Sequence, residues 1–281
     1  MNKLNNTKSE KSSNIGSKKE KQVSGTGEWA SRNANFVNGC ANDCKYCYAK
    51  SMAIRFKRKT PQNWKSEEVI LKNLNANFVK KADYIMFPSS HDISPENLNY
   101  SLEFLERLLK NGNHVLVVTK PYLSVIKAIC RRFANEKGKI LFRFTIGSCN
   151  TETLRFWEPY APSFEERLAS LKHAYSLGFK TSVSCEPVLD IHSEKLADIL
   201  LPFVTDAIWI GLPNRLKGIL KINGADDFET LKYADLLLKT LSKNWVNELY
   251  YKLKDNPKIK WKESIKKILG IERPTTKGLD I

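Results

Sequence analysis

Six short apolar runs, each followed by about a dozen residues of helical periodicity, constrain this 281-residue chain more than any other feature. The runs fall at 35–37, 84–87, 114–118, 140–146, 179–185 and 206–210. Between them Leu102, Leu105, Leu108 and Leu109 make one helical stripe, and Val125, Ile126, Ile129 and Phe133 make another. Helix ends are written locally. Ser94-Pro95-Glu96-Asn97 offers a cap and a first-turn proline, Ser163-Phe164-Glu165-Glu166 is a capping box, and Gly112 and Gly178 are stops. Strands this continuously apolar are buried on both faces, which requires a parallel sheet covered by helices through right-handed crossovers. Six units exceed most small open folds and fall short of the eight of a closed barrel. The expected fold class is α/β, a partial (β/α)6 barrel with parallel strands. It would occupy 28–215, after a basic tail over 1–27 with too few apolar residues to order, and before a helical extension over 216–281 packed on the core.

Ligands of parallel α/β folds bind beyond the carboxyl ends of the strands. The residues there are polar: Pro88-Ser89-Ser90-His91-Asp92, Thr119-Lys120, Gly147-Ser148-Cys149-Asn150, Ser184-Cys185-Glu186-Pro187 and Gly211-Leu212-Pro213-Asn214. Turns use such residues too, so their concentration on one rim is what counts. The first run leads into Asn38-Gly39-Cys40-Ala41-Asn42-Asp43-Cys44-Lys45-Tyr46-Cys47-Tyr48, which holds three of the six cysteines. Three thiolates this close can grip a metal centre. Four sulfurs would complete a zinc site or an iron-sulfur cluster, whereas three leave one metal corner open. The residues alone also admit a zinc site completed by the distant His91 or Cys149, and unliganded thiols near a turn.

Lys and Arg total 46 against 30 Asp and Glu, a formal charge of +16 that draws polyanions. Nucleic acid is the obvious partner class, and a lysine-rich surface serving solubility is the plain alternative. A basic burst at Arg55, Lys57, Arg58 and Lys59, and a lysine-rich carboxyl-terminal region interleaved with Trp245, Tyr250 and Trp261, would serve such a partner. No apolar run approaches the roughly 20 residues that span a bilayer, and the amino terminus has no apolar core of a secretory signal, so the expectation is a cytoplasmic protein with no membrane partner. Cys130, Cys149 and Cys185 are scattered and do not read as a disulfide framework.

Cys40, Cys44, Tyr46 and Cys47 resemble the C-x3-C-x-aromatic-C signature of the radical S-adenosylmethionine superfamily. Within it, the wording F-R-F-T-I-G-S-x-N, F-W-E-P-Y-A-P-S-F-E-E-R-L and T-S-V-S-C-E-P-V-L-D between 142 and 190, with Thr119-Lys120, is similar to the spore photoproduct lyase-like branch. The likeness runs from about 35 to 215. It implies a partial barrel, a 4Fe-4S cluster on Cys40, Cys44 and Cys47, and S-adenosylmethionine on the open iron. It also implies an electron donor such as flavodoxin or ferredoxin, and a 5'-deoxyadenosyl radical that takes hydrogen from a substrate. Tyr46 would lie near the adenine, and Lys120, Ser90 and Ser148 would meet the methionine carboxylate or the ribose. Arg167 would either grip that carboxylate or pair with Glu158 to anchor the fourth helix. Cys149 or Cys185 would return hydrogen to the substrate radical. The chain departs from the superfamily where a Gly-Gly-Glu run is usual, reading Pro88-Ser89-Ser90, so the methionine amino contact is left unassigned. The branch implies lyase-type chemistry on a nucleic-acid lesion. A peptide or small-metabolite substrate, and a zinc-binding nucleic-acid-associated protein, are the alternatives.

Overall fold

A computed structural model describes residues 22–278. Its strands in chain order are β1 (Arg32–Asn33), β2 (Val37–Asn38), β3 (Glu68–Val69), β4 (Ile85–Phe87), β5 (Val115–Thr119), β6 (Ile140–Thr145), β7 (Lys180–Cys185), β8 (Ile208–Ile210) and β9 (Ile259–Trp261). Its α-helices are α1 (Tyr48–Arg55), α2 (Leu71–Leu74), α3 (Leu98–Lys110), α4 (Leu123–Arg132), α5 (Thr151–Trp157), α6 (Phe164–Ser176), α7 (Ser193–Leu200), α8 (Leu216–Asn223), α9 (Phe228–Thr240), α10 (Lys243–Leu253) and α11 (Glu263–Leu269). Seven strands form one sheet in the order β1-β4-β5-β6-β7-β8-β9, every neighbouring pair parallel, so the partial barrel expected from the strand-helix rhythm is present.

Three boundaries differ from the sequence reading. The run at 35–37 is not the first barrel strand; that is β1, paired with β4, while β2 pairs antiparallel with β3 (Val37 opposite Val69). Phe36 is apolar for another reason. Its fully buried ring packs 5.8 Å from Phe87 and 5.1 Å from Phe104, so it wedges against core helix α3. The region read as a helical extension is largely helical but also carries β9, which continues the sheet with Ile259 opposite Ile208 and Trp261 opposite Ile210. Three residues are too few for a periodicity to be read. Residues 22–27, given to the tail, belong to the fold: the Val23 N–H donates to the Pro274 carbonyl at 2.8 Å, and Gly25–Glu28 makes a 3-10 turn. The rest of that tail, 1–21, lies outside the described residues.

Alternation along the strands decides what faces the site. Ile85, Phe87, Val115, Val117, Val183, Cys185 and Ile208 belong to the large core beneath the helices. Met86, Leu116 and Leu141 point the other way and pack with Ala30, Trp29 and Val118 inside the barrel. Deeper inside, the Arg143 guanidinium lies 4.7 Å from the Trp29 ring and 5.1 Å from the Trp209 ring, and donates to Ser182 Oγ (3.0 Å) and Asp206 Oδ2 (3.1 Å). The charge is buried with aromatic faces and acceptors on several sides, which makes it a fitting plug for the barrel. Among the described residues no helix is long and apolar enough to cross a membrane.

Candidate active site

A cavity of about 560 Å³ opens at the carboxyl ends of the strands. Met86, Val118, Thr145 and Ser184 form its inner wall, Cys40, Cys44, Tyr46 and Cys47 one side, and Leu212 to Ile222 with Ser24 to Trp29 the other.

The cysteine loop is held from every direction. Gly39 has φ +113°, and a Cβ there would fall 2.3 Å from the Ser66 carbonyl oxygen and 2.9 Å from that of Trp64, so glycine is required where the loop lies against the 63–66 turn. The Cys40 N–H donates to the Trp64 carbonyl (3.0 Å), and the Ala41 N–H to Glu67 Oε1 (3.1 Å). Asn42 Nδ2 donates to Asp92 Oδ2 at 3.0 Å. Lys50 pairs with Asp43 at 2.7 Å. Cys47 is the N-cap of α1: its Sγ accepts the Lys50 N–H at 3.3 Å, so amide donors and the positive end of the helix face this sulfur. From the other side, Asn223 Nδ2 at the end of α8 donates to the carbonyls of Lys45 (2.9 Å) and Cys47 (3.0 Å).

Next to the cysteines lies a partly buried charged group. Burial alone would lower the pKa of Lys120, but Cys44, Tyr46, Glu158 and Asp92 around it outweigh burial and raise it, so the ammonium stays charged. Its Nζ is 5.9 Å from the Tyr46 ring. Asp92 organises the strand end: Oδ1 accepts from the Thr119 hydroxyl and from the Lys120 N–H (2.8 Å), tying β5 to the cysteine loop. Burial raises the pKa of Cys40, with Asp92 and the other two thiols adding to it, and burial likewise raises that of Cys44 against the pull of Lys120. These thiols, Cys40 and Cys44 buried and Cys47 partly so, would thus ionise more readily beside a positive centre.

Lys120, Tyr46 and Ser90 line the cavity. Arg167 does not. Its side chain is fully buried, with Nε on the Pro162 carbonyl (2.8 Å), one terminal nitrogen on the Thr145 carbonyl (3.2 Å) and the other on Glu158, whose second oxygen accepts the Tyr46 hydroxyl. Arg167 therefore holds Glu158, and Glu158 holds Tyr46. Ser148 is also out of the cavity lining; its hydroxyl donates to Asp190 and accepts the Asn150 N–H (2.8 Å). Neither cysteine nominated as hydrogen donor borders the cavity. Cys185 is 1 % exposed in the helix-side core, because strand alternation turns its neighbour Ser184 inward instead, and Cys149 lies beside Asp190 and Lys195. Glu186, Asp92, Trp64 and Asn223 were missed as individual site residues. Glu186 and Asp92 sat in the strand-end stretches, while nothing local marked Trp64 or Asn223.

A single zinc ion needs ligands converging at roughly 2.3 Å for sulfur and 2.0 Å for nitrogen. Among the described residues no three His, Cys, Asp or Glu side chains are placed to hold one ion. His91 borders the cavity; its Nδ1 faces the Asp92 carbonyl at 2.9 Å, and its buried Nε2 has no hydrogen-bond partner among the described residues. Cys40, Cys44 and Cys47 all border the one cavity.

Residues 34–200, more than half of the chain, match the family model described as the radical SAM superfamily. The chain belongs to the radical SAM superfamily. This radical SAM chain is 25% identical over 166 residues to the uncharacterized protein ORF301 of Acidianus two-tailed virus, covering 55% of this chain and 54% of that protein. It therefore spans about half the length of that curated relative. Its fold is similar to that of a point-substituted spore photoproduct lyase (TM-score 0.52, 16% identity, 87% of this chain and 79% of the other). SuiB of Streptococcus suis bound to S-adenosylmethionine matches less well (TM-score 0.48, 12% identity, 83% and 50%).

Proposed function

We propose that this superfamily enzyme holds a 4Fe-4S cluster on Cys40, Cys44 and Cys47 and binds S-adenosylmethionine in the adjoining cavity. The observation that carries the reading is the convergence of three cysteines, Cys40 and Cys44 buried and Cys47 partly so, and the partly buried Lys120 on one cavity at the strand ends. When bound, the cluster and S-adenosylmethionine would supply one-electron reductive cleavage of a carbon-sulfur bond, and with it radical chemistry. The chain's residues do the rest. Lys120 offers its ammonium to a carboxylate, and Ser90 and Ser184 offer hydroxyls to polar groups. Tyr46 presents a ring held still by the Glu158–Arg167 pair. The strap from Ser24 to Trp29 and the wall from Leu212 to Ile222 limit water. An electron donor of the flavodoxin or ferredoxin kind is part of the proposal.

Nucleic acid is the proposed substrate class. The +16 charge supports it, and Arg55 and Arg215 line the cavity mouth while Lys57, Arg58, Lys217 and Lys221 stand on the same two segments. Anaerobic reconstitution tests the cluster: the parent should take up iron and turn brown, and Cys→Ala at 40, 44 or 47 should abolish the colour. Stoichiometric zinc without iron would sink the reading. With dithionite the protein should cleave S-adenosylmethionine, and Lys120→Ala should weaken cofactor binding while leaving iron content unchanged. DNA or RNA should bind with steep salt dependence and accelerate 5'-deoxyadenosine formation. Binding with no acceleration would redirect the search to peptides or small metabolites.

A further inference from the structure

Three carboxylates border the cavity: Asp92, Glu186 and Glu263. Asp92 has both oxygens engaged, one by the Thr119 hydroxyl and the Lys120 N–H, the other by Asn42 Nδ2. Glu263 is 8 % exposed, and its Oε2 is shut away from solvent, 3.6 Å from Lys267 Nζ. Glu186 differs from both. Its side chain is 22 % exposed, no hydrogen bond reaches it among the described residues, and Lys262 Nζ stands 3.6 Å from its Oε2. The group is nonetheless well placed. Gly211 lies against it, since a Cβ there would fall 3.1 Å from Glu186 Cγ, and Lys262 is itself fixed by Glu28 and the Gly25 carbonyl. Burial raises the pKa of Glu186 against the pull of Lys262, and donors brought to it from the cavity favour the ionised form. Glu186 follows β7, two strands from the end of β5 where Lys120 stands, which sets them about 10 Å apart across the cavity. At the mouth the sign reverses. Arg55 and Arg215 are exposed there and meet no carboxylate among the described residues.

We propose that Glu186 reads the base of a nucleic-acid strand whose phosphates rest on Arg55 and Arg215, and that it selects guanine. The inference rests on the nucleic-acid reading above. An ionised carboxylate offers two acceptor oxygens and no donor. Guanine alone among the four DNA bases sets two N–H donors side by side on its pairing edge, the ring N1–H and the exocyclic amine. Adenine and cytosine set a donor beside an acceptor, and thymine flanks its one donor with two acceptors that a carboxylate repels. An unpaired or flipped-out base presents that edge to a pocket.

The probes are short single-stranded thymidine oligonucleotides, each carrying one central guanine, hypoxanthine, adenine or cytosine. Binding is read by fluorescence anisotropy at fixed salt, and 5'-deoxyadenosine formation is followed alongside. The reconstituted parent should bind the guanine strand at least about fivefold tighter than the other three, hypoxanthine included because it lacks only the exocyclic amine. In Glu186→Gln the side-chain amide keeps one acceptor and gains donors, so the adenine strand should overtake the guanine strand. A merely structural role for Glu186 would weaken all four strands alike. Equal affinity of the parent for guanine and hypoxanthine overturns the proposal, as does a Glu186→Gln protein that keeps the parent's order of preference. A variant in which S-adenosylmethionine affinity falls and that order stays overturns it in favour of a cofactor contact. A parent that binds none of the four strands overturns the nucleic-acid reading itself, and is told apart because it appears with every base and before any variant is made. If such a parent instead binds a short arginine-containing peptide, and Glu186→Gln does not, the carboxylate reads a guanidinium and the base assignment is overturned.

Discussion

Burial beside Phe36 and Phe87 pushes the pKa of His91 down from 6.5 to about 4, although the Asp92 carbonyl at its Nδ1 pulls the other way. The unfolded chain takes up this proton first. Between pH 6.5 and about 4 the unfolded state therefore binds more protons, and stability falls with falling pH across that window and levels off below it. The loss attributable to His91 is on the order of 3 kcal/mol. His91→Phe should flatten that part of the acid limb in urea-denaturation curves; an unaltered slope would mean the ring is not buried neutral. The Asp92 carbonyl keeps a second donor in that variant, Asn97 Nδ2 at 3.0 Å. Glu158 behaves oppositely. Burial would raise its pKa, but Arg167 and Lys120 overcome this and hold it below the usual carboxylate range. A carboxylate kept ionised in the interior can hold the Tyr46 hydroxyl as an acceptor throughout the neutral range.

At the scale of elements, α8 has two tasks. Leu216, Ile219 and Ile222 line the cavity, while Asn223 at its last turn clamps the carbonyls of Lys45 and Cys47 before Gly224, at φ +67°, ends the helix. Lys45 is also held by α9, through Thr230 Oγ1 at 3.0 Å. Whatever occupies the cavity against α8 thus presses on the element that holds the cysteine loop. Asn223→Ala removes two hydrogen bonds and should cost about 2 kcal/mol of stability. It should also speed amide hydrogen exchange over 45–51 in the metal-free protein, with Asn223→Asp behaving alike because it too lacks the N–H donors. Unchanged exchange in both variants would show that the clamp does not restrain the loop.

For the whole molecule the question is how an open barrel is finished. The edges of the sheet are β1 and β9, and the 25–28 turn is tied to the segment after β9 by Lys262. The Lys262 ammonium is fully buried, paired with Glu28, 3.6 Å from Glu186, donating to the Gly25 carbonyl (2.9 Å) and 4.1 Å from the Trp29 ring. Gly211 makes room for it, since a Cβ there would sit 2.9 Å from the Lys262 side chain. Lys262→Met leaves buried carboxylates without their cation and should destabilise the fold by about 3–5 kcal/mol. Protease cleavage within 22–31 should then precede global unfolding. A variant as stable as the parent, with that segment still protected, would show that other contacts hold the strap.

Much of this molecule was legible in order along the chain, because the deciding signals are local. Strand runs, the capping box at Ser163, the glycine stops and the cysteine spacing each express a preference of a few neighbouring residues, and together they specified a parallel partial barrel with a thiol cluster at its strand ends. Which residues face the cavity was not a local matter. In strands buried on both sides the hydrophobic pattern does not distinguish the faces, so only the register of β6, β7 and β8, with Thr145, Ser184 and Trp209 side by side, turned Ser184 inward and sent Cys185 to the helices. The same holds for Arg167, whose charge reads equally as a ligand contact or an anchor until its partners Pro162, Thr145 and Glu158 are in place. Asn223 and Lys262 reach 176 and 237 residues along the chain to Cys47 and Gly25. Such pairings arise from closing the barrel, and no pattern of neighbours encodes them.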